Sequence, residues 1–220
     1  MRYDEAVSRL TALPSPLPAS PGDLMPVFTD GRLRPRVAPS ATARPAAVLV
    51  LVYPDADGEA RLVLTERLTY DGHHSGEVSF PGGKADPGDT DATATALREA
   101  AEEVGLDAAA AGVRVLGVLD DVFIPVSDFR ITPVVAVAER EPVLAANPAE
   151  VGRILTAPLA AFLPDATIEI VERKIGGWPI RYGGYRIDGL HVWGATGRIL
   201  GQLGAVLGLA AVLPAGHEGG

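Results

Sequence analysis

Residues Gly82 to Gly105 read GGKADPGDTDATATALREAAEEVG, a glycine-rich loop running directly into a single helix. Local chemistry marks both helix ends. Asp89 to Asp91 offer side-chain oxygens for the N-cap, and Gly105 suits a C-terminal stop. Between them Glu99, Glu102 and Glu103 occupy three of five positions, where like charges three and four apart repel by roughly 0.2–0.5 kcal/mol per pair. With Leu97 set at zero and about 100° per residue, Ala100, Ala101 and Val104 fall within about 60° and form a core stripe. The three glutamates fall roughly opposite, across an arc of about 100°.

Periodicity by itself reads that arc as a solvated face. A solvated face, however, normally mixes charge signs to gain pair energy, and here the nearby cation is Arg98, adjacent in sequence. Two consecutive glycines, Gly82 and Gly83, allow backbone to approach the carboxylates. Clustered oxygen ligands of this kind are what a hard divalent cation such as Mg²⁺ needs, and a bound ion turns repulsion into shared coordination.

The rest of the composition narrows the classes. The 220 residues suffice for one domain with a sizeable core, and 47% are apolar. There is no cysteine, which excludes disulfides, thiolate metal sites and a cysteine nucleophile and fits a cytoplasmic protein. The net charge is -9, and Lys84 and Lys174 are the only lysines among 19 basic residues. An acidic chain without a basic run is not a duplex nucleic-acid binder. Residues 199–213, ILGQLGAVLGLAAVL, are short for a membrane span and read as a buried helix. Its Gly204/Gly208 pair offers a small-residue face for a neighbouring element or for a second subunit in a homodimer.

Along the chain, residues 3–12 read as a short amphipathic helix and 13–45 as a proline-rich arm. AAVLVLVYP (46–54) and RLVLTER (61–67) predict a hairpin of two strands. VRVLGVLDDVF and FRITPVVAVAE predict two more strands. NPAEVGRILTAPLAAFL looks helical in its first half, with Pro158 interrupting the pattern. TIEIVER, WPIRYGG and YRIDGL predict three short strands, and a last helix begins near Trp193. This order predicts an α/β sandwich on a mixed sheet. The expected layout is an N-terminal helix and arm (1–45), one domain (46–213) and a tail (214–220).

The stretch from Gly82 to Leu106 resembles the Nudix box, G-x5-E-x7-R-E-U-x-E-E-x-G-U, where U is aliphatic. REAAEEVGL fits at nearly every fixed position, with the small Ala100 at the first U. Asp89 stands where the pattern has its first glutamate, and eight residues rather than seven separate it from Arg98. The resemblance implies the Nudix fold, a mixed β-sheet sandwiched between helices. It also implies hydrolysis of a nucleoside diphosphate linked to another moiety, with Mg²⁺ or Mn²⁺. Carried onto this sequence, Glu99 and Glu103 become metal ligands, four apart and on one face. Glu102 is a further ligand or acts through water, the Gly83 carbonyl completes the shell, and Arg98 orients a glutamate. The base stays open among Glu102, Glu103, Asp120, Asp121 and Glu150.

Upstream, residues 64–83 with Val63 resemble the signature of Nudix hydrolases acting on coenzyme A, L-L-T-x-R-S/A-x3-R-x3-G-x3-F-P-G-G. Val63, Leu64, Thr65, Arg67, Gly76, Phe80, Pro81, Gly82 and Gly83 fit. Leu68 replaces the small residue and Gly72 the second arginine. The resemblance implies coenzyme A cleaved to 3′,5′-ADP and 4′-phosphopantetheine, with Arg67, Gly76, Phe80, Gly82 and Gly83 lining the substrate. Gly72 keeps ADP-ribose or another nucleoside diphosphate derivative open, since a guanidinium clamps phosphate well. A non-catalytic nucleotide-binding module is a further alternative, disfavoured by the complete glutamate set. Phe80 reads equally as core, and His73 and His74 read as solvent-facing.

Overall fold

A computed structural model describes residues 1–35, 37–68 and 77–209. Gly72, His73, His74, Gly76 and the tail after 213 lie outside the described residues. The elements in chain order are α1 (Tyr3–Thr11), β1 (Val27–Phe28), β2 (Arg44–Pro54), β3 (Ala60–Arg67), β4 (Val78–Ser79) and β5 (Gly82–Lys84). Then come α2 (Ala92–Val104), α3 (Ala108–Ala111), β6 (Val113–Val118), β7 (Val122–Ile124), β8 (Phe129–Ala138) and β9 (Val151–Pro158). The last are β10 (Glu169–Ile175), β11 (Trp178–Ile187), β12 (Leu190–Val192) and α4 (Gly194–Leu209).

The main sheet runs β4-β3-β2-β8-β6, with β5 beside β2, β7 beside β8 and β9 beside β3. β2 and β8 are parallel; the other pairs are antiparallel, so the sheet is mixed. Side chains alternate across a strand, and β2 shows why its sequence is apolar throughout. Leu49, Leu51 and Tyr53 pack with Ala96, Ala100 and Val104 of α2. Val50 and Val52 pack on the other face with Ala6 and Leu10 of α1 and Leu200 and Leu203 of α4. The sheet is thus covered on both faces, as expected of the α/β sandwich.

Three strand and helix expectations need correction. Residues 151–158 form a strand instead of continuing a helix: β9 pairs with β3 from Arg61↔Pro158 to Arg67↔Val151. The sequence NPAE carries the marks of a helix start, with asparagine, proline and glutamate at the cap, first and third positions. One turn does form, and then the free side of β3 takes the chain. WPIRYGG and YRIDGL are one strand, β11, because Gly183 and Gly184 pass close to neighbouring backbone at Asp23 and Val192 without turning. VRVLGVLDDVF is broken into β6 and β7, with an irregularity between Val115 and Gly117. The strands β1, β10, β11 and β12 make a second sheet that the sequence reading did not assemble.

α4 is the buried helix expected, and no helix among the described residues is long and apolar enough to cross a membrane. Its glycine face is filled from within. A Cβ on Gly204 would lie 1.7 Å from the Phe162 carbonyl oxygen, and one on Gly208 would lie 2.4 Å from Pro164. The face read as a surface for a second subunit is therefore occupied by the chain's own segment Phe162–Pro164.

Candidate active site

The site begins with the two ends of α2. Asp91 caps the start, its side chain accepting the Ala94 N–H at 2.8 Å. At the other end Gly105 takes φ 65°, and Gly105 and Leu106 donate back to Ala101 and Ala100. Two of the remaining orphan carbonyls of the last turn are met from outside: Ala145 donates to Val104 and Asn147 to Glu103, at 2.9 and 2.8 Å. The segment 145–150 is thereby fastened to the glutamate end of the helix.

The helix is rotated relative to the stripe read from its apolar residues. Ala96, Ala100, Glu103 and Val104 are buried, whereas Ala101 is exposed. On the same angular scale the buried arc is shifted by roughly 60° toward the acidic side. The three glutamates consequently have three different surroundings. Glu103 is 6% exposed. The Glu99 side chain is 14% exposed and that of Glu102 55%. The arc is a solvated face at Glu102, half-buried at Glu99 and buried at Glu103.

The buried side of the arc meets β5. The Gly82 N–H donates to Glu103 Oε2 at 3.0 Å. Gly82 has φ 155°, and a Cβ there would strike the Ala47 carbonyl oxygen at 2.4 Å and Val48 Cα at 2.6 Å. The adjacent Gly83 leaves room for Glu99, whose carboxylate oxygens lie 2.6 Å from where a Gly83 Cβ would stand. The two glycines therefore do separate jobs: Gly82 threads between backbone strands, and Gly83 vacates space for a carboxylate.

Arg98 is the hub on the outer side. Its Nε and Nη2 donate to the two oxygens of Asp89 at 3.1 and 3.0 Å, in the planar fork that suits a carboxylate. Nη1 donates to Glu99 Oε1 at 2.9 Å and Glu102 Oε2 at 3.1 Å, and Nη2 also donates to the Lys84 carbonyl. Arg98 stands one turn before Glu102, a pairing the sequence reading overlooked. Asp89 faces Arg98, Thr95 and the Asp86 N–H, and the Arg98 guanidinium foremost holds its carboxyl well below the usual range. It ties the loop to the helix and does not join the other carboxylates. Glu102 likewise turns outward to Arg98, away from the set of shared ligands expected.

Arg67 and Glu150 complete the surroundings. Along β3, Leu62 and Leu64 face the α4 side and Val63 faces α2; Arg67 ends the strand, where the register with β9 shifts. Its positive charge acts on Glu103, and the negative charges of Glu99 and Glu150 act on it as well. Burial is the largest influence and pushes the Glu103 carboxyl up to about 7; the Gly82 N–H, then Arg67, oppose it. Glu99 is also raised, chiefly by burial, against Arg98. Glu150, one of the carboxylates left open as a base, is thus in the site's electrostatic field. Asp120 and Asp121 are engaged elsewhere, with Gln202 and with Thr132. Phe80, 1% exposed, packs in the core on the α4 side. Asn147, which bonds both the Glu103 carbonyl and the Glu150 side chain, drew no notice in the sequence beyond its place in the expected helix start.

Among the described residues no three acidic or histidine side chains converge closely enough to hold an ion by themselves. Two carboxylates suffice for Mg²⁺, which keeps several waters and takes substrate phosphates as further ligands. Glu99 and Glu103 offer hard oxygens, and the largely buried Glu103 has a single N–H donor from β5. A donor set of this chemistry fits a divalent cation.

A model of the NUDIX domain matches residues 43–169, more than half of the chain, and spans α2, β5 and Glu150. This chain belongs to the Nudix family. It is 39% identical over 163 residues to Nudix hydrolase 15, mitochondrial, of Arabidopsis thaliana, covering 70% of this chain and 55% of that protein. It is 35% identical over 164 residues to the uncharacterized Nudix hydrolase NudL of Yersinia enterocolitica, covering 74% of this chain and 82% of that one. Nudix hydrolase 3 of Caenorhabditis elegans is 35% identical over 143 residues, covering 64% and 58%. This Nudix chain therefore spans little more than half the length of the plant and nematode relatives it matches. Among solved structures, a Nudix hydrolase from M. smegmatis aligns with a TM-score of 0.45 at 24% identity, covering 54% of this chain and 73% of that one.

Proposed function

We propose that this Nudix protein is a metal-dependent pyrophosphohydrolase acting on the diphosphate of coenzyme A or its derivatives. The observation that carries the hydrolase reading is the buried Glu103 carboxylate, held by the Gly82 N–H beside Glu99 and within the field of Arg67 and Glu150. Glu99, Glu103 and the Gly83 carbonyl would hold the ion. When bound, Mg²⁺ or Mn²⁺ supplies positive charge to the phosphoryl oxygens and makes water a better nucleophile at neutral pH.

The chain's own groups do the rest. Arg67 meets a phosphate from the β3 side. Arg98 keeps Glu99 oriented through Nη1 while its other edge stays clamped on Asp89. Glu150 accepts the proton of the attacking water, because Glu102 is committed to Arg98. Water oxygen bonds to phosphorus, the bridging P–O bond breaks, and the products are 3′,5′-ADP and 4′-phosphopantetheine.

The coenzyme A reading rests on Val63 to Gly83, where nine positions fit the signature named above. Gly72 in place of an arginine favours a second reading, ADP-ribose or another nucleoside diphosphate derivative. Mass spectrometry of the products from a panel of pyrophosphate compounds with Mg²⁺ or Mn²⁺ decides between them. A kcat/KM higher for ADP-ribose than for coenzyme A rejects the narrower name. A cytoplasmic location belongs to the same proposal, supported by the cysteine-free composition. A homodimer is supported by family resemblance alone, since the Gly204 face is filled.

A further inference from the structure

Glu150 poses a physical problem. The segment that carries it is fastened to the glutamate end of α2 through the Ala145 and Asn147 N–H groups, and its charge acts on both Glu99 and Glu103. Glu150 is exposed and on a loop, so an unrestrained side chain would swing into solvent. A partner that bonds its carboxylate would restrain it.

Asn147 is placed to do so. Its peptide N–H donates to the Glu103 carbonyl at 2.8 Å, and its own carbonyl accepts the N–H groups of Glu150 and Val151 at 3.1 and 2.9 Å. Its side-chain Oδ1 accepts the Ala149 N–H at 3.1 Å, closing the turn, which leaves the amide Nδ2 to donate to Glu150 Oε1 at 3.3 Å. One residue therefore connects the backbone of the buried glutamate to the side chain of the exposed one. An amide suits this role: one end takes a peptide N–H and the other gives a proton to a carboxylate without adding charge.

We propose that Asn147 is a positioning residue for the candidate site, fixing the Glu150 carboxylate toward Glu99 and Glu103. The kinetic consequence rests on the hydrolase reading above; the structural one does not. Asn147→Asp keeps an oxygen for the Ala149 N–H but replaces the donor facing Glu150 with a negative charge. Asn147→Ala removes both.

The test is a double-mutant cycle with Glu150→Gln, joined to NMR of the Asn147 side-chain amide. Asn147→Asp is expected to lower kcat at least about tenfold, since small displacements in a catalytic constellation cost up to about a hundredfold, with KM within about twofold. In the Glu150→Gln background the same change should cost less than about twofold, because the losses share one cause. The amide resonance should shift when Glu150 becomes glutamine. If Asn147→Asp fails to fold, Asn147→Ser takes its place, retaining a turn-closing oxygen without the amide donor. Fully additive losses, or an unmoved amide resonance, overturn the proposal. If the wild-type chain turns over none of the panel, the hydrolase reading fails and the amide resonance alone decides the positioning.

Discussion

The Gly82 N–H points at Glu103 Oε2 from 3.0 Å, joining the glycine loop to the helix through the site's most buried carboxylate. Among the described residues Glu103 accepts one N–H, and a buried carboxylate so served is a poor arrangement for a protein that uses it only to stay folded. Desolvation of the charged form outweighs one hydrogen bond, which is why burial leaves Glu103 near 7. The same arrangement suits a group whose charge is to be shared with a cation.

Stability of the metal-free protein should therefore fall as pH rises from about 4.5 to about 7, and level off above. The native state keeps a proton on Glu103 that the unfolded chain has already released, so unfolding gains from higher pH across that window. The contribution is on the order of 3 kcal/mol at one pKa unit per 1.36 kcal/mol, and the raised Glu99 adds in the same direction. Asp89 acts the other way in a lower window. Its stabilisation is present above its unfolded value of 3.8 and is lost as pH falls below that. Urea unfolding with EDTA at pH 5, 6, 7 and 8 checks the slope, and Glu103→Gln should flatten much of it.

The two glycines of β5 should respond differently to alanine. A Cβ at Gly82 meets the backbone of Ala47 and Val48, which cannot yield without moving β2. Gly82→Ala should cost about 1–3 kcal/mol, as overpacking does. The nearest atoms to a Cβ at Gly83 are the carboxylate end of the Glu99 side chain. Gly83→Ala should leave the melting temperature within a few degrees and lower kcat by displacing that carboxylate. Thermal unfolding and kinetics of the pair check both halves.

Arg98→Lys should behave as a large change despite the retained charge. Lysine cannot reproduce the fork on Asp89 while also reaching Glu99 and Glu102. Activity should fall at least about tenfold, the lower end of the cost of losing a group that orients a ligand. Wild-type kcat in this variant would remove Arg98 from the account.

Gly204→Ala tests the packing of α4. Its Cβ would overlap the Phe162 carbonyl oxygen, so the variant should unfold at lower temperature. Sedimentation should show no change in subunit number, since that face is internal.

Much of this site was legible in the sequence because its signals are local. Asp91 and Gly105 mark the helix, and the glycine pair and glutamate spacing mark the chemistry. The failures came where a partner distant in sequence decides the outcome. The apolar residues of α2 gave a stripe centred near Leu97, but the helix, fastened at its end by the 145–150 segment, buries Glu103 and leaves Ala101 exposed. NPAE begins a turn as its composition requires, yet the free side of β3 makes Val151 onward a strand. Gly204 and Gly208 correctly signalled close approach without saying that the approaching element was Phe162–Pro164 of the same chain.

The most direct measurement is turnover of coenzyme A by wild type and by Glu103→Gln, each with Mg²⁺ and with EDTA, products read by mass spectrometry. The wild type with Mg²⁺ should release 3′,5′-ADP and 4′-phosphopantetheine. The variant should lose more than about a hundredfold, beyond what removing an outer-shell partner costs, with the fold retained. Comparable metal-dependent rates for the two proteins would contradict this.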